Sequence, residues 1–152
     1  MIPVAVIMIA AVYIQALFDI VPIREPVSRL LAFNMTPVVR ELDELRRQQN
    51  AGAVVTTSYA LAAWFSFYMP SDAPVVQLNE RFRYLDQPQP ARSLIEGPLL
   101  YITEVRNDQS AQLIEHFANI TPLTRMNRTR GGAMIDQYAV YRLDGLRGEL
   151  FD

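Results

Sequence analysis

The first stretch of this chain constrains its fold more than any other. From Ile2 to Phe18, IPVAVIMIAAVYIQALF carries one amide, Gln15, and no charge; extended to Ile23, the run adds only Asp19 as a charged residue. Crossing a bilayer takes about 20 apolar residues. The sequence therefore predicts a transmembrane helix over residues 1–23, with Tyr13 and Phe18 towards the exit interface, where aromatic rings are favoured. A signal peptide needs a basic leading segment and a small-x-small cleavage site, whereas this chain opens MIPV. A buried core helix would need apolar surface on every side, more than the later sequence offers. A membrane helix at the outset also suggests a piece of a longer protein.

Residues 24–152 read as one soluble domain. Hydrophobic residues make up 51% of the chain and charged ones 20%, a globular rather than a disordered balance. The formal net charge of −2 gives no broad electrostatic reason to expect nucleic acid. All 14 basic residues are Arg, a bias that a GC-rich genome produces as readily as selection for guanidinium chemistry. With no Cys and His116 as the single His, thiolate and His-rich zinc sites are excluded. An all-carboxylate magnesium or calcium site stays open, without EF-hand spacing to support it. No cofactor is expected in this chain.

The domain's pattern alternates strands and helices. Thr36 is a good N-cap and Pro37 suits a first helical position. With Val38, Leu42 and Leu45 at helical spacing, these predict an amphipathic helix over about 37–49, closed by Asn50 and Gly52. Ala53 to Thr57 reads as a buried strand, Ser58 as the cap of a helix over 59–69, and Val75 to Leu78 as a second strand. Strand, helix, strand with short links predicts a βαβ unit with parallel strands. PLLYITEV (98–105) reads as another strand, and Asp108 or Ser110 as the cap of a helix holding Leu113, Ile114 and Phe117. ITPLTRM (120–126), a hairpin loop over 128–132 and IDQYAVYRL (135–143) complete the pattern, the last alternating as an antiparallel strand. The expected class is α/β: a mixed, mostly parallel sheet with packed helices, βαβ units and a C-terminal antiparallel hairpin.

Few motifs carry chemistry. Neither phosphate-cradling glycine loop is present. Ser58 has Thr56 and Ala60 where a nucleophile elbow needs glycines, so it reads as a helix cap. His116 has no partner motif and reads as structural. The aromatics Tyr59, Trp64, Phe65, Phe67 and Tyr68 read mainly as core. Two polar clusters are candidates. NERFRYLDQ follows the C-terminal end of a parallel strand, where α/β sheets place ligands; Asn79, Arg81, Arg83, Tyr84 and Asp86 could read hydroxyls or a phosphate. RMNRTRGG gathers Arg125, Arg128 and Arg130 near a hairpin tip, where they could meet anionic headgroups or a lipid phosphate.

Taken in order, the stretches REPVSRLLAFNMTPVVRELDELRRQ, VVTTSYALAAWFSFYMPSDAPVVQL, NERFRYLDQ, GPLLYITE, IEHFANITPLTRMNRTRGG and QYAVYRLDGLRG resemble the end of the family 39 type glycosyltransferases. These are polytopic membrane enzymes related to protein mannosyltransferases and bacterial aminoarabinose transferases. The resemblance implies an α/β domain on the periplasmic, extracytoplasmic face of the cell inner membrane, after the last membrane helix. It further implies transfer of a sugar from a polyprenyl-phosphate donor, either metal-dependent or with an acidic residue of the first extracytoplasmic loop, N-terminal to Met1, as base. Its implied partners are the lipid bilayer, the missing N-terminal membrane domain and a lipid-linked sugar. No catalytic residue or metal ligand carries over. The rival reading from the residues themselves is a single-pass, membrane-anchored α/β module that binds a ligand or partner without enzymatic activity.

Overall fold

The computed structural model describes residues 2–18, 32–70, 73–79 and 91–148. Its first element, α1 (Ile2–Phe18), has 17 residues. At 1.5 Å per residue such a helix covers ~26 Å, against a hydrocarbon core of ~30 Å. Among the described residues no helix is long and apolar enough to cross a membrane. Residues 2–18 are the described part of the transmembrane helix expected over 1–23, and residues 19–23 lie outside the described ones. The large apolar side chains of α1 between Val4 and Ile14 are exposed, from 46% at Ile14 to 68% at Ile7.

The α/β body begins with α2 (Met35–Gln48). It starts two residues before the position expected from Pro37, because Asn34 adopts a left-handed backbone (φ 55°) and ends the preceding chain there. Met35, Val38, Val39 and Leu42 form its buried stripe. Asp43, 1% exposed, joins that stripe because Arg46 and Arg47 both pair with it within the last turns. After Asn50, also left-handed (φ 51°), the chain enters β1 (Ala53–Thr56). Ser58 Oγ then accepts from the Leu61 N–H and caps α3 (Tyr59–Tyr68), as expected. Leu61 and Phe65 are buried on one face, while Phe67 is 81% exposed. Each such buried large apolar side chain contributes roughly 1.5–3 kcal/mol.

β2 (Val75–Gln77) pairs parallel with β1, completing the predicted βαβ unit. A one-turn helix, α4 (Arg92–Ile95), leads to β3 (Leu99–Glu104), which lies parallel to β1 on its other side. The expected helix after Asp108 is instead two 3₁₀ turns, Val105–Asn107 and Ser110–Glu115. Only Leu113 of Leu113 and Ile114 is buried, and Phe117 already belongs to the next strand. That strand, β4 (Phe117–Arg130), and β5 (Ala133–Leu146) form a long hairpin. Its turn is only Gly131–Gly132, with φ of 55° and 78°, the backbone that a two-residue turn of this hand requires.

The sheet order is β2-β1-β3-β5-β4. The fold is mixed α/β, but the expected mostly parallel sheet is corrected: β1–β2 and β1–β3 are parallel, β3–β5 and β4–β5 antiparallel. The antiparallel ladders are the longer ones. The difference arises because β5, not β4, inserts beside β3, so the hairpin contributes both antiparallel pairings. Each face of the sheet has its own core. On one, α2 and α3 cover Val54, Leu100, Ile102, Tyr138 and Val140. On the other, Ile95 of α4 and Leu113 cover Val55, Val76, Tyr101 and Leu143.

Candidate functional site at the C-terminal edge of the parallel strands

Three parallel strands end side by side, and the chain leaving each of them walls one polar cleft of about 380 Å³. Thr57, Ser58 and Tyr59 come from the β1–α3 junction, Asn79 follows β2, Thr103 and Glu104 end β3, and Arg106 to Gln109 follow it. Helices and strands packed beneath fix these junctions, while their polar side chains stay at the rim. This is the edge where open α/β sheets hold ligands.

Hydrogen bonds fix most of the polar groups in position. Glu104 accepts from Arg106 Nη2 at 2.7 Å and from Asn107 Nδ2 at 2.9 Å. Thr103 Oγ1 donates to the Asn107 carbonyl at 3.2 Å, holding the 3₁₀ turn against the strand. Asp108 accepts from the Ser110 N–H at 2.9 Å and from the Tyr141 hydroxyl. Burial pushes the Asp108 carboxyl up, but the bonds from Tyr141 and Ser110 outweigh it and hold the group below the ordinary carboxylate value. Asn79 Oδ1 accepts from Gln77 Nε2 at 3.3 Å. Gln109 Oε1, in the cleft wall, is buried with no hydrogen-bond partner.

Behind the cleft a charged chain continues into the core. Arg106 Nη2 lies 3.3 Å from Asp136 Oδ2, which is 3.9 Å from Arg128 Nη2. The Arg128 guanidinium in turn sits 5.3 Å from the centre of the Trp64 ring. Burial, opposed by the charge of Arg106, leaves Asp136 above the ordinary carboxylate value. Among the described residues no group of three or more His, Asp or Glu side chains is placed to hold a metal ion.

The structure separates the residues that the sequence singled out. Asn79 lines the cleft, while Arg81, Tyr84 and Asp86, with Arg83, lie outside the described residues. The three arginines do not form an exposed tip cluster. Arg125 is exposed on β4, Arg130 packs with its guanidinium 3.8 Å from the centre of the Phe33 ring, and Arg128 is fully buried. Arg128 follows Met126 by two along β4, so both point into the α2–α3 core, and a contact of Arg128 with headgroups is replaced by its pairing with Asp136. His116 is half-buried beside the start of β4, its carbonyl accepting from the Arg147 N–H.

Glu104, Arg106, Asn107, Asp108 and Gln109 were missed as site residues. They lie at or just after the C-terminal end of β3, and the rule that points to Asn79 reaches them once β3 is known to pair parallel with β1.

No protein-family model, no curated protein and no solved structure matches this chain.

Proposed function

We propose that this chain is the C-terminal domain of a membrane glycosyltransferase that uses a polyprenyl-phosphate sugar donor, its catalytic part lying N-terminal to Met1. One relationship in the structure supports this reading above others: the chain coming from the apolar helix enters the α/β body at the cleft's pole of the sheet. α2 runs back along β1, so its start lies at the strands' C-terminal edge. There Asn34 Nδ2 donates to the Thr129 carbonyl at the end of the hairpin, 2.6 Å away. The 13 residues 19–31 connect that point to α1 and reach at most ~45 Å when fully extended. A helix that is apolar on every side is stable when buried in lipid or protein. With α1 held in the bilayer, the domain is tethered within reach of the membrane surface on the extracytoplasmic side, where it can cap a membrane core and shape the entrance for donor or acceptor.

The polar cleft also favours the second reading, an anchored module that binds its ligand without catalysis. Transferase activity decides between them. Membranes carrying the complete gene product should turn over a polyprenyl-phosphate sugar, and removing residues 32–148 should abolish or strongly reduce that turnover. Absence of turnover by the complete product with every polyprenyl-phosphate sugar tried would favour the binding module.

A further inference from the structure

We infer that the cleft walled by Tyr59, Asn79, Glu104, Arg106, Asp108 and Gln109 is a binding site for an uncharged saccharide rather than for a phosphate. The inference deepens the reading above, on which it rests for the setting at a membrane surface.

The charge balance argues first. Two carboxylates, Glu104 and Asp108, and one guanidinium, Arg106, line the cleft. Arg106 is already shared between Glu104 and Asp136. The start of α3 does offer a favourable end for an anion. Its Leu61 N–H, however, is taken by Ser58 Oγ. An incoming phosphate would thus meet two fixed negative charges and a guanidinium with its charge already paired. A neutral polyol meets no such opposition.

The hydrogen-bond inventory argues next. Sugar hydroxyls both donate and accept, and they suit walls that mix carboxylate, amide and hydroxyl groups. Here Asn79, Asn107 and Gln109 supply amides, and Ser58 a hydroxyl. Asn79 Oδ1 already accepts from Gln77 Nε2, so the wall carries an oriented amide of the kind that meets a sugar hydroxyl. The Asp108 carboxyl, held below its ordinary value, remains an acceptor throughout the neutral range. Tyr59 adds a ring on the cleft wall in a residue that is 52% exposed, so part of its apolar surface is open for the C–H face of a sugar.

The test is saturation-transfer NMR on the full 152-residue chain in nanodiscs. The probes are glucose, galactose, mannose, N-acetylglucosamine and, separately, inorganic phosphate. At least one sugar should give a saturable signal in the millimolar range. Tyr59→Ala and Asp108→Asn should each weaken it about fivefold or more, while Phe67→Ala at the opposite pole should leave it unchanged. Melting curves of each variant confirm that the fold is retained, and phosphate should not displace the sugar. No signal from any sugar, binding indifferent to both cleft variants, or displacement by phosphate would overturn the assignment. Those failures would leave the transferase reading to its own assay. Conversely, sugar binding by a chain whose complete gene product lacks transferase activity would sink only the transferase reading.

Discussion

Arg128 on β4 and Asp136 on β5 stand opposite each other across the hairpin, with the Arg128 side chain fully buried and its Nη2 3.9 Å from Asp136 Oδ2. Removing one member of a buried ion pair leaves the other uncompensated. Arg106 remains near Asp136, so Arg128→Met should destabilise the fold by about 3 kcal/mol, the low end for such pairs. The loss should also depend on pH. Asp136 already titrates above its unfolded value because it is buried, so its favourable, protonated contribution is fully present below about pH 4 and fades as pH rises through the folded value. Without Arg128 that folded value moves further up. Denaturant titrations at pH 4 and pH 7 should therefore show the larger deficit at pH 7.

The bond from Tyr141 to Asp108 ties β5 to the cleft wall. Tyr141→Phe should cost about 1 kcal/mol, the value of one hydrogen bond at a partly exposed site. Asp108 is held below its unfolded value in the native protein, so its contribution is present above about pH 4 and is lost as pH falls through the folded value. In the variant that loss should begin at a higher pH. Thermal melts between pH 2 and pH 7 measure the shift; identical profiles for the two proteins would contradict it.

Gly145 combines a positive φ of 69° with a close neighbour. A Cβ placed there would lie 2.8 Å from the Cβ of Ala118 on the paired strand. Gly145→Ala should therefore lower stability by about 2 kcal/mol, from backbone strain and the contact together. Gly97, where a Cβ meets nothing within 4 Å and φ is not positive, should accept Ala with little change. Chemical denaturation of both variants provides the comparison.

If α1 is held in lipid, the full chain should float with neutral liposomes in a density gradient, and 1 M salt should not release it. Ile7 is 68% exposed and Val12 67%. Replacing both with Asp should release most of the protein into the soluble fraction, since each charge costs roughly 2.5–3.5 kcal/mol near the centre of a membrane helix. Release of the unaltered chain by salt alone would point to a surface attachment instead.

Much of this architecture was legible from short-range pattern. Ser58 caps α3 as its side chain predicts, and the β-branched run before it forms β1. α3 ends before Pro70, as that residue predicts, and the parallel pairing of β1 and β2 follows from the connection length. What was not legible depended on contacts distant in sequence. Asp108 looks like a helix cap and does bond the Ser110 N–H, but the turn it starts remains 3₁₀, with Ile114 61% exposed and only Leu113 packed beneath. α2 starts at Met35 rather than Pro37 beside the bond from Asn34 to Thr129, a residue 95 positions away. Arg128 read as a surface cation because its neighbours are polar, yet the two-residue period that places Met126 inward also places Arg128 inward. The cleft required knowing that β3 joins β1 in parallel, which brings residues 103–109 beside Ser58 and Asn79.

The most direct test of the central claim is to read the genomic sequence upstream of the Met1 codon. The account predicts an open frame continuing upstream through some ten or more apolar segments, with acidic residues in the first extracytoplasmic loop. A stop codon followed by a ribosome-binding site immediately before Met1 would contradict it, and the anchored saccharide-binding module would become the account of this protein.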